Sequence, residues 1–139
     1  MSKQQSGFTL IELVIVIVIL GLLAATALPR FSNLTADARI ATLGGMKGAL
    51  QSAATIAHAT QLAKGLASNA DVTLEGSTTV AMSNGYPTTA GIVNALSDYT
   101  GFTPTGGVFD KDGTTNCSVT YNASVGGAFP VITITSSGC

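Results

Sequence analysis

The chain has 139 residues, room for one domain, with 46% hydrophobic side chains, 9% charged ones and a formal net charge of −1. Residues 8–64 carry four bases (Arg30, Arg39, Lys47, Lys64) against two acids (Glu12, Asp37), whereas residues 65–139 carry Lys111 against Asp71, Glu75, Asp98, Asp110 and Asp112. Four scattered bases without interleaved aromatics argue against a nucleic-acid surface, so a basic stalk and an acidic head point to packing between copies.

The first element is the apolar stretch from Gly7 to Leu28, GFTLIELVIVIVILGLLAATAL. Roughly 20 apolar residues at a helical rise span a bilayer core of about 30 Å. Lipid offers the backbone no other hydrogen-bonding partner, so the segment reads as helix despite its β-branched run Val14 to Ile19. A secretory leader cleaved near Ala24-Ala25-Thr26-Ala27 is the alternative. Against it stands Glu12, an ionisable group placed where burial is costly unless it is paired. Nothing basic follows it before Arg30. Its partner is therefore expected from the chain's own N-terminus or from another molecule.

Lys3-Gln4-Gln5-Ser6-Gly7-Phe8-Thr9-Leu10-Ile11-Glu12 resembles the processing motif of type IV pilins and of type II secretion pseudopilins, a short basic leader ending in Gly before a Phe-Thr-Leu-Ile-Glu helix start. The resemblance is close over about the first thirty residues, with Gly21 and Pro29 at the family's helix-region Gly and Pro. Beyond them it is one of organisation, most like the mannose-sensitive haemagglutinin type of pilin. It implies an α+β pilin fold, a long N-terminal helix with a small antiparallel β-sheet head. It also implies cleavage between Gly7 and Phe8 by a prepilin peptidase, methylation of the Phe8 amine, and assembly through Glu12, Gly21 and Pro29. The partners implied are further copies of the chain, that peptidase, the pilus assembly machinery and, before assembly, the membrane. Lys3 favours a cytoplasmic N-terminus in the inner membrane, with surface display after polymerisation. No cofactor is implied.

Pro29 predicts a kink, and Gly21 is a second weak point. From Phe31 to about Leu62, apolar residues at Phe31, Leu34, Ala38, Leu43, Met46, Leu50, Ala53 and Ala57 recur at three- and four-residue spacing, an amphipathic helix. A helix from Phe8 would reach on the order of 80 Å. Stop signals gather at Lys64-Gly65 and Ser68-Asn69. The resulting division is a leader at 1–7, helix halves at 8–29 and 30–64, and a head at 65–139.

In the head, Asp71 to Thr79 reads as a short strand or loop, Tyr86-Pro87 as a turn or extended segment, and Ala90 to Tyr99 as a short helix. Cys117 to Tyr121 and Val131 to Thr135 alternate as strands, with Gly126-Gly127 between them. The sheet is expected to pack on the C-terminal half of the long helix. A head of this size has a marginal apolar core, and its two cysteines, Cys117 and Cys139, lie outside the cytoplasm. A bridge between them is expected, stabilising by roughly 3 kcal/mol, and pilins commonly close a C-terminal loop in this way.

Catalytic groups are few. His58, the one histidine, sits between alanines and reads as packing or surface, and no nucleophile motif, phosphate loop or metal cluster accompanies it. Asp110-Lys111-Asp112-Gly113 reads first as an Asp-Gly turn. The alternative is Ca²⁺ shared by Asp110 and Asp112. The expectation is a structural, non-enzymatic filament subunit, with a secretion pseudopilin as the alternative.

Overall fold

The structure, a computed structural model, describes residues 7–75 and 78–139. Of the leader read at 1–7, residues 1–6, including Lys3, lie outside them. The fold is α+β and pilin-like, one long helix followed by small antiparallel sheets. Two units emerge, residues 1–36 and 37–139. Helix α1 (Leu10–Ala63) contributes to both. It starts two residues later than Phe8 and ends one residue beyond Leu62.

Within the second unit, α1 buries Leu43, Met46, Leu50, Ala53, Ala54, Ala57 and Gln61. The predicted stripe thus holds from Leu43 onward. Leu34 and Ala38, which the same spacing placed on it, are exposed. Ala54 and Gln61 join it because the apolar face of a 3.6-residue helix is wider than one row. Gln61 stops the helix by donating from Nε2 to Ala67 O at 3.0 Å and Ala70 O at 2.8 Å. Its amide satisfies carbonyls of the next loop that the core would otherwise leave unpaired.

Two hairpins follow: β1 (Val72–Thr73) with β2 (Thr79–Val80), and β3 (Met82–Ser83) with β4 (Tyr86–Pro87). The second is closed by Asn84-Gly85, with φ of 53° and 86°. Positive φ at both central residues matches the twist of antiparallel strands. The helix read over Ala90 to Tyr99 shrinks to a 3-10 turn, Gly91–Ala95, because Leu96 turns extended (φ −89°, ψ 137°). Gly91 itself lies so close to Ala81 that a Cβ would meet its carbonyl oxygen at 2.4 Å.

A four-stranded antiparallel meander completes the unit: β5 (Phe102–Thr105), β6 (Val108–Lys111), β7 (Ser118–Asn122) and β8 (Val131–Thr135). Gly106-Gly107 links the first two strands with φ of 54° and 86°. Phe109, Val119, Tyr121 and Ile132 point inward onto Leu43, Met46, Leu50 and Ile92. A smaller cluster joins Ala57 to Val72, Val80 and Met82. The head therefore packs on the C-terminal half of α1, as its stripe requires.

Tyr121 ties the meander to β4. Its buried hydroxyl donates to Pro87 O at 2.8 Å. Desolvation, with Tyr86 as a lesser contribution, pushes its pKa well above the usual tyrosine value. A raised folded-state pKa means that the stability contributed by neutral Tyr121 is complete below the unfolded value of about 10 and is lost as pH rises above it. Melting temperatures of the full chain in detergent should fall from about pH 9 to about pH 11. Tyr121→Phe should melt lower at neutral pH, by about 1–2 kcal/mol for the orphaned carbonyl, but with a shallower alkaline fall. Parallel pH profiles for the two proteins would contradict this role.

Candidate functional site

In the first unit, Gly7, Phe8 and Thr9 precede the helix, and Phe8 is 87% exposed. The peptide bond between Gly7 and Phe8 thus lies in non-helical, accessible backbone. From Leu10 to Leu28 the helix has mean hydropathy 2.8 and none of its span is buried, long and apolar enough to cross a membrane. Thr26 is not a polar breach in it, because its hydroxyl donates to Leu23 O at 2.9 Å. The helix assignment runs through Gly21 and Pro29. Among the described residues a Cβ on Gly21 would meet nothing within 4 Å, so the residue weakens the helix without any packing reason there.

Glu12 is not without a partner. Its Oε2 accepts from Thr9 N at 2.8 Å and from the Thr9 hydroxyl at 2.6 Å. Thr9 Oγ1 in turn lies 3.4 Å from the Glu12 amide. This is the reciprocal cap of a Thr-x-x-Glu helix start, in which two orphan amides find side-chain oxygens. Sequence reasoning looked for a cation and missed Thr9. The signal was the spacing Thr9-Leu10-Ile11-Glu12 itself. Within one chain the carboxylate is hydrogen-bonded to Thr9, in addition to the charge partner expected from the chain's own N-terminus or from another molecule.

The second unit holds the remaining residues singled out. Cys117 and Cys139 are bridged, with Cα atoms 4.9 Å apart. Cys117 is fully buried just before β7, and Arg39 Nη1 donates to Cys139 O at 3.3 Å. The C-terminal segment lies so close to the Thr115-Asn116 turn that a Cβ on Gly138 would meet Thr115 O at 2.0 Å. Gly138 N donates to Asn116 O. His58 stacks on Tyr86 with ring centroids 4.3 Å apart, and its Nδ1 lies 2.5 Å from Gly85 O. It is a packing residue.

Asp110 lies in β6 opposite Thr103 and Ser118, whereas Asp112 has left the strand at φ 50°. The alternation that would aim both carboxylates at one ion is broken there. Asp112 Oδ2 instead meets Lys111 Nζ at 2.6 Å, and that ammonium also donates to Gly101 O and sits 5.4 Å from the Phe102 ring centroid. Among the described residues no three His, Cys, Asp or Glu side chains converge. The segment is a turn closed by an ion pair. Lys64 and Asn94, beside a groove under the first hairpin, are also structural: they donate to Thr73 O and Thr79 O.

Residues 2–28 match the family model of the prokaryotic N-terminal methylation motif. Similar proteins include the type IV narrow pilus major component PilA5 of Thermus thermophilus, 51% identical over 63 residues, 45% of this chain and 53% of that protein. A fimbrial protein of Pseudomonas aeruginosa is 46% identical over 52 residues (37% of this chain, 34% of that one). The type IV major pilin protein PilE1 of Neisseria gonorrhoeae is 58% identical over 40 residues (29% and 24%). The chain thus spans about half the length of the first of these relatives and between about a quarter and just over a third of the others. No solved structure matches it. A methylation motif, an apolar helix opened by a Thr–Glu cap, and pilin and fimbrial relatives together make the amino-terminal region of this chain similar to that of type IV pilins.

Proposed function

We propose that the chain is a structural subunit of a type IV pilus, cut between Gly7 and Phe8, methylated on the Phe8 amine and polymerised into a helical surface filament. One observation carries this reading: an accessible, non-helical Gly7–Phe8 bond immediately before an apolar helix with a single carboxylate. A lone membrane anchor has no use for Glu12, whereas a subunit that must find one axial offset among its neighbours does. In this reading residues 8–29 lie in the inner membrane and then in the filament core. Residues 30–64 carry the head, and residues 65–139 face outward. The prepilin peptidase, the assembly machinery and other copies of the chain are its partners. Adhesion or motility belongs to the polymer. Loosening of the helix between Gly21 and Pro29 would accompany assembly, since two weak helix formers there cost little to extend.

Mass spectrometry of the mature protein tests the processing step. Phe8 should be the first residue and carry one added methyl group. A mature N-terminus near Ala27 or Leu28 would mark an ordinary secretory leader and end the pilus reading.

A further inference from the structure

The two edges of the four-stranded sheet are not alike. In the β6–β7 ladder, Lys111 N donates to Cys117 O and Tyr121 N to Gly107 O. Odd-numbered residues of β7 therefore turn their backbone groups toward β6, and even-numbered ones toward β8. With Ser118 opposite Thr135, Thr120 opposite Thr133 and Asn122 opposite Val131, residues 131, 133 and 135 bond inward. The N–H and C=O groups of Ile132 and Ile134 then face the open edge. On the opposite edge the same alternation turns Phe102 and Pro104 of β5 outward. Phe102 N already donates to Tyr99 O at 2.9 Å, and Pro104 has no N–H. The β5 edge is closed to strand addition; the β8 edge is not.

The sequence of β8, Val-Ile-Thr-Ile-Thr, contains no charge and no proline, the usual devices that blunt an edge. On the core-facing side Ile132 is buried, but Ile134 next to it is 39% exposed. On the outer side Val131 is 61% exposed. We propose that β8 is a self-pairing edge whose occupant is β8 of a second copy, joined antiparallel about a two-fold axis at Thr133. In that register Ile132 of each copy exchanges both backbone bonds with Ile134 of the other, and Thr133 faces its own counterpart. Val131 lies across from Thr135. The partly exposed Ile134 of each copy gains a neighbour on the core face. Shifting the register by two residues is worse in either direction. One shift sets Ile134 against Pro130, which lacks a donor, and the other sets Ile132 against Ser136. Pairing with β5 of another copy is excluded by the closed edge.

A two-fold contact is isologous and cannot relate subunits along one polar helical filament. Resting on the pilus reading above, the contact therefore joins subunits of neighbouring filaments. Each pairing is short and weak, and repetition along two filaments supplies the avidity.

Thr133 is exposed and is the one β8 residue that meets itself, so charge reversal there tests the pairing without disturbing the core. Filaments of Thr133→Lys alone, or of Thr133→Glu alone, place like charges directly opposite. Their low-speed pelleting and bundling in electron micrographs should fall about tenfold while high-speed filament yield is unchanged. Mixing sheared Lys and Glu filaments should restore pelleting to at least the wild-type level. Bundling that is unchanged in the single variants, or not restored by mixing, would overturn the proposal. If no filaments form from the wild-type chain, the pilus reading fails instead. Sedimentation of the full chain in detergent, over a concentration series that reaches the range of a weak single pairing, then still decides: wild type and the Lys–Glu mixture should self-associate at the top of the series, and either variant alone should not.

Discussion

Reducing the Cys117–Cys139 bridge, or replacing either cysteine by serine, should lower the stability of the unit spanning residues 37–139 by about 3 kcal/mol. The bridge has a sequence separation of 22 and encloses β7 and β8, the two strands that bring Val119, Tyr121 and Ile132 to the core. Opening it releases the entropy of a closed loop in the unfolded chain. It also frees the C-terminal residue whose carbonyl receives Arg39. A domain of this size is typically stable by only about 5–15 kcal/mol, so the loss is a large fraction of the whole. In melting temperature the loss corresponds to a fall on the order of 10–20 °C. The signal to follow is tyrosine near-ultraviolet ellipticity of the full chain in detergent, because the apolar half of α1 will stay helical whatever the head does. A reductant that leaves the melt within about 2 °C of the oxidised protein would show that the bridge contributes little. Quantitative thiol labelling of native, unreduced protein would show that it does not form.

What the sequence reveals and what it hides follow the strength of the local signal. A continuous apolar run and a three-four spacing are strong, and α1 ends within two residues of the expected limits at both termini. The stripe failed at Leu34 and Ala38 because periodicity shows which face is apolar and not how far a partner extends along it. Strands β7 and β8 were legible from alternation in Ser-Val-Thr-Tyr and Val-Ile-Thr-Ile-Thr. Strands β5 and β6 were not, since Phe-Thr-Pro-Thr contains a proline and Val-Phe-Asp-Lys two charges. Their linking Gly106-Gly107, and Asn84-Gly85 between β3 and β4, were the readable signals, as both place two positive-φ residues between extended flanks. The short helix at Ala90 to Tyr99 was overestimated because Gly91 is held against the backbone of Ala81 and the chain turns extended at Leu96. At the N-terminus Thr9 escaped notice for a different reason. A carboxylate in an apolar run prompts a search for a cation, and a hydroxyl three residues earlier does not look like its equivalent until both amides of the helix start are counted.

Glu12→Ala should leave membrane insertion, cleavage after Gly7 and folding of the head intact while reducing sheared filament yield by at least about tenfold, since breaking a buried charge pair is among the largest single-residue penalties. Within one chain the carboxylate is held by Thr9, which keeps it hydrogen-bonded before assembly. In the proposed filament, cleavage would create a cationic amine on Phe8, four residues before Glu12, and every added subunit would bring another such amine into an apolar core. Pairing that amine with Glu12 of the same or a docked chain is possible at only one axial offset, so the charge would select register as well as strength. Two further variants separate the cap from the charge. Glu12→Gln keeps an oxygen that can accept from Thr9 but removes the anion, and its yield should fall nearly as far as that of the alanine variant. Thr9→Val removes the hydroxyl half of the cap but keeps the anion and its bond from the residue 9 amide, and its yield should fall by less than about threefold, the scale of a lost helix cap. Glu12→Asp, one methylene shorter, should lie between the two. The readout is filament yield against the membrane pool by immunoblot, with each variant as the sole subunit. Wild-type yield from Glu12→Gln together with a severe loss from Thr9→Val would show that the cap, and not the charge, is what assembly requires.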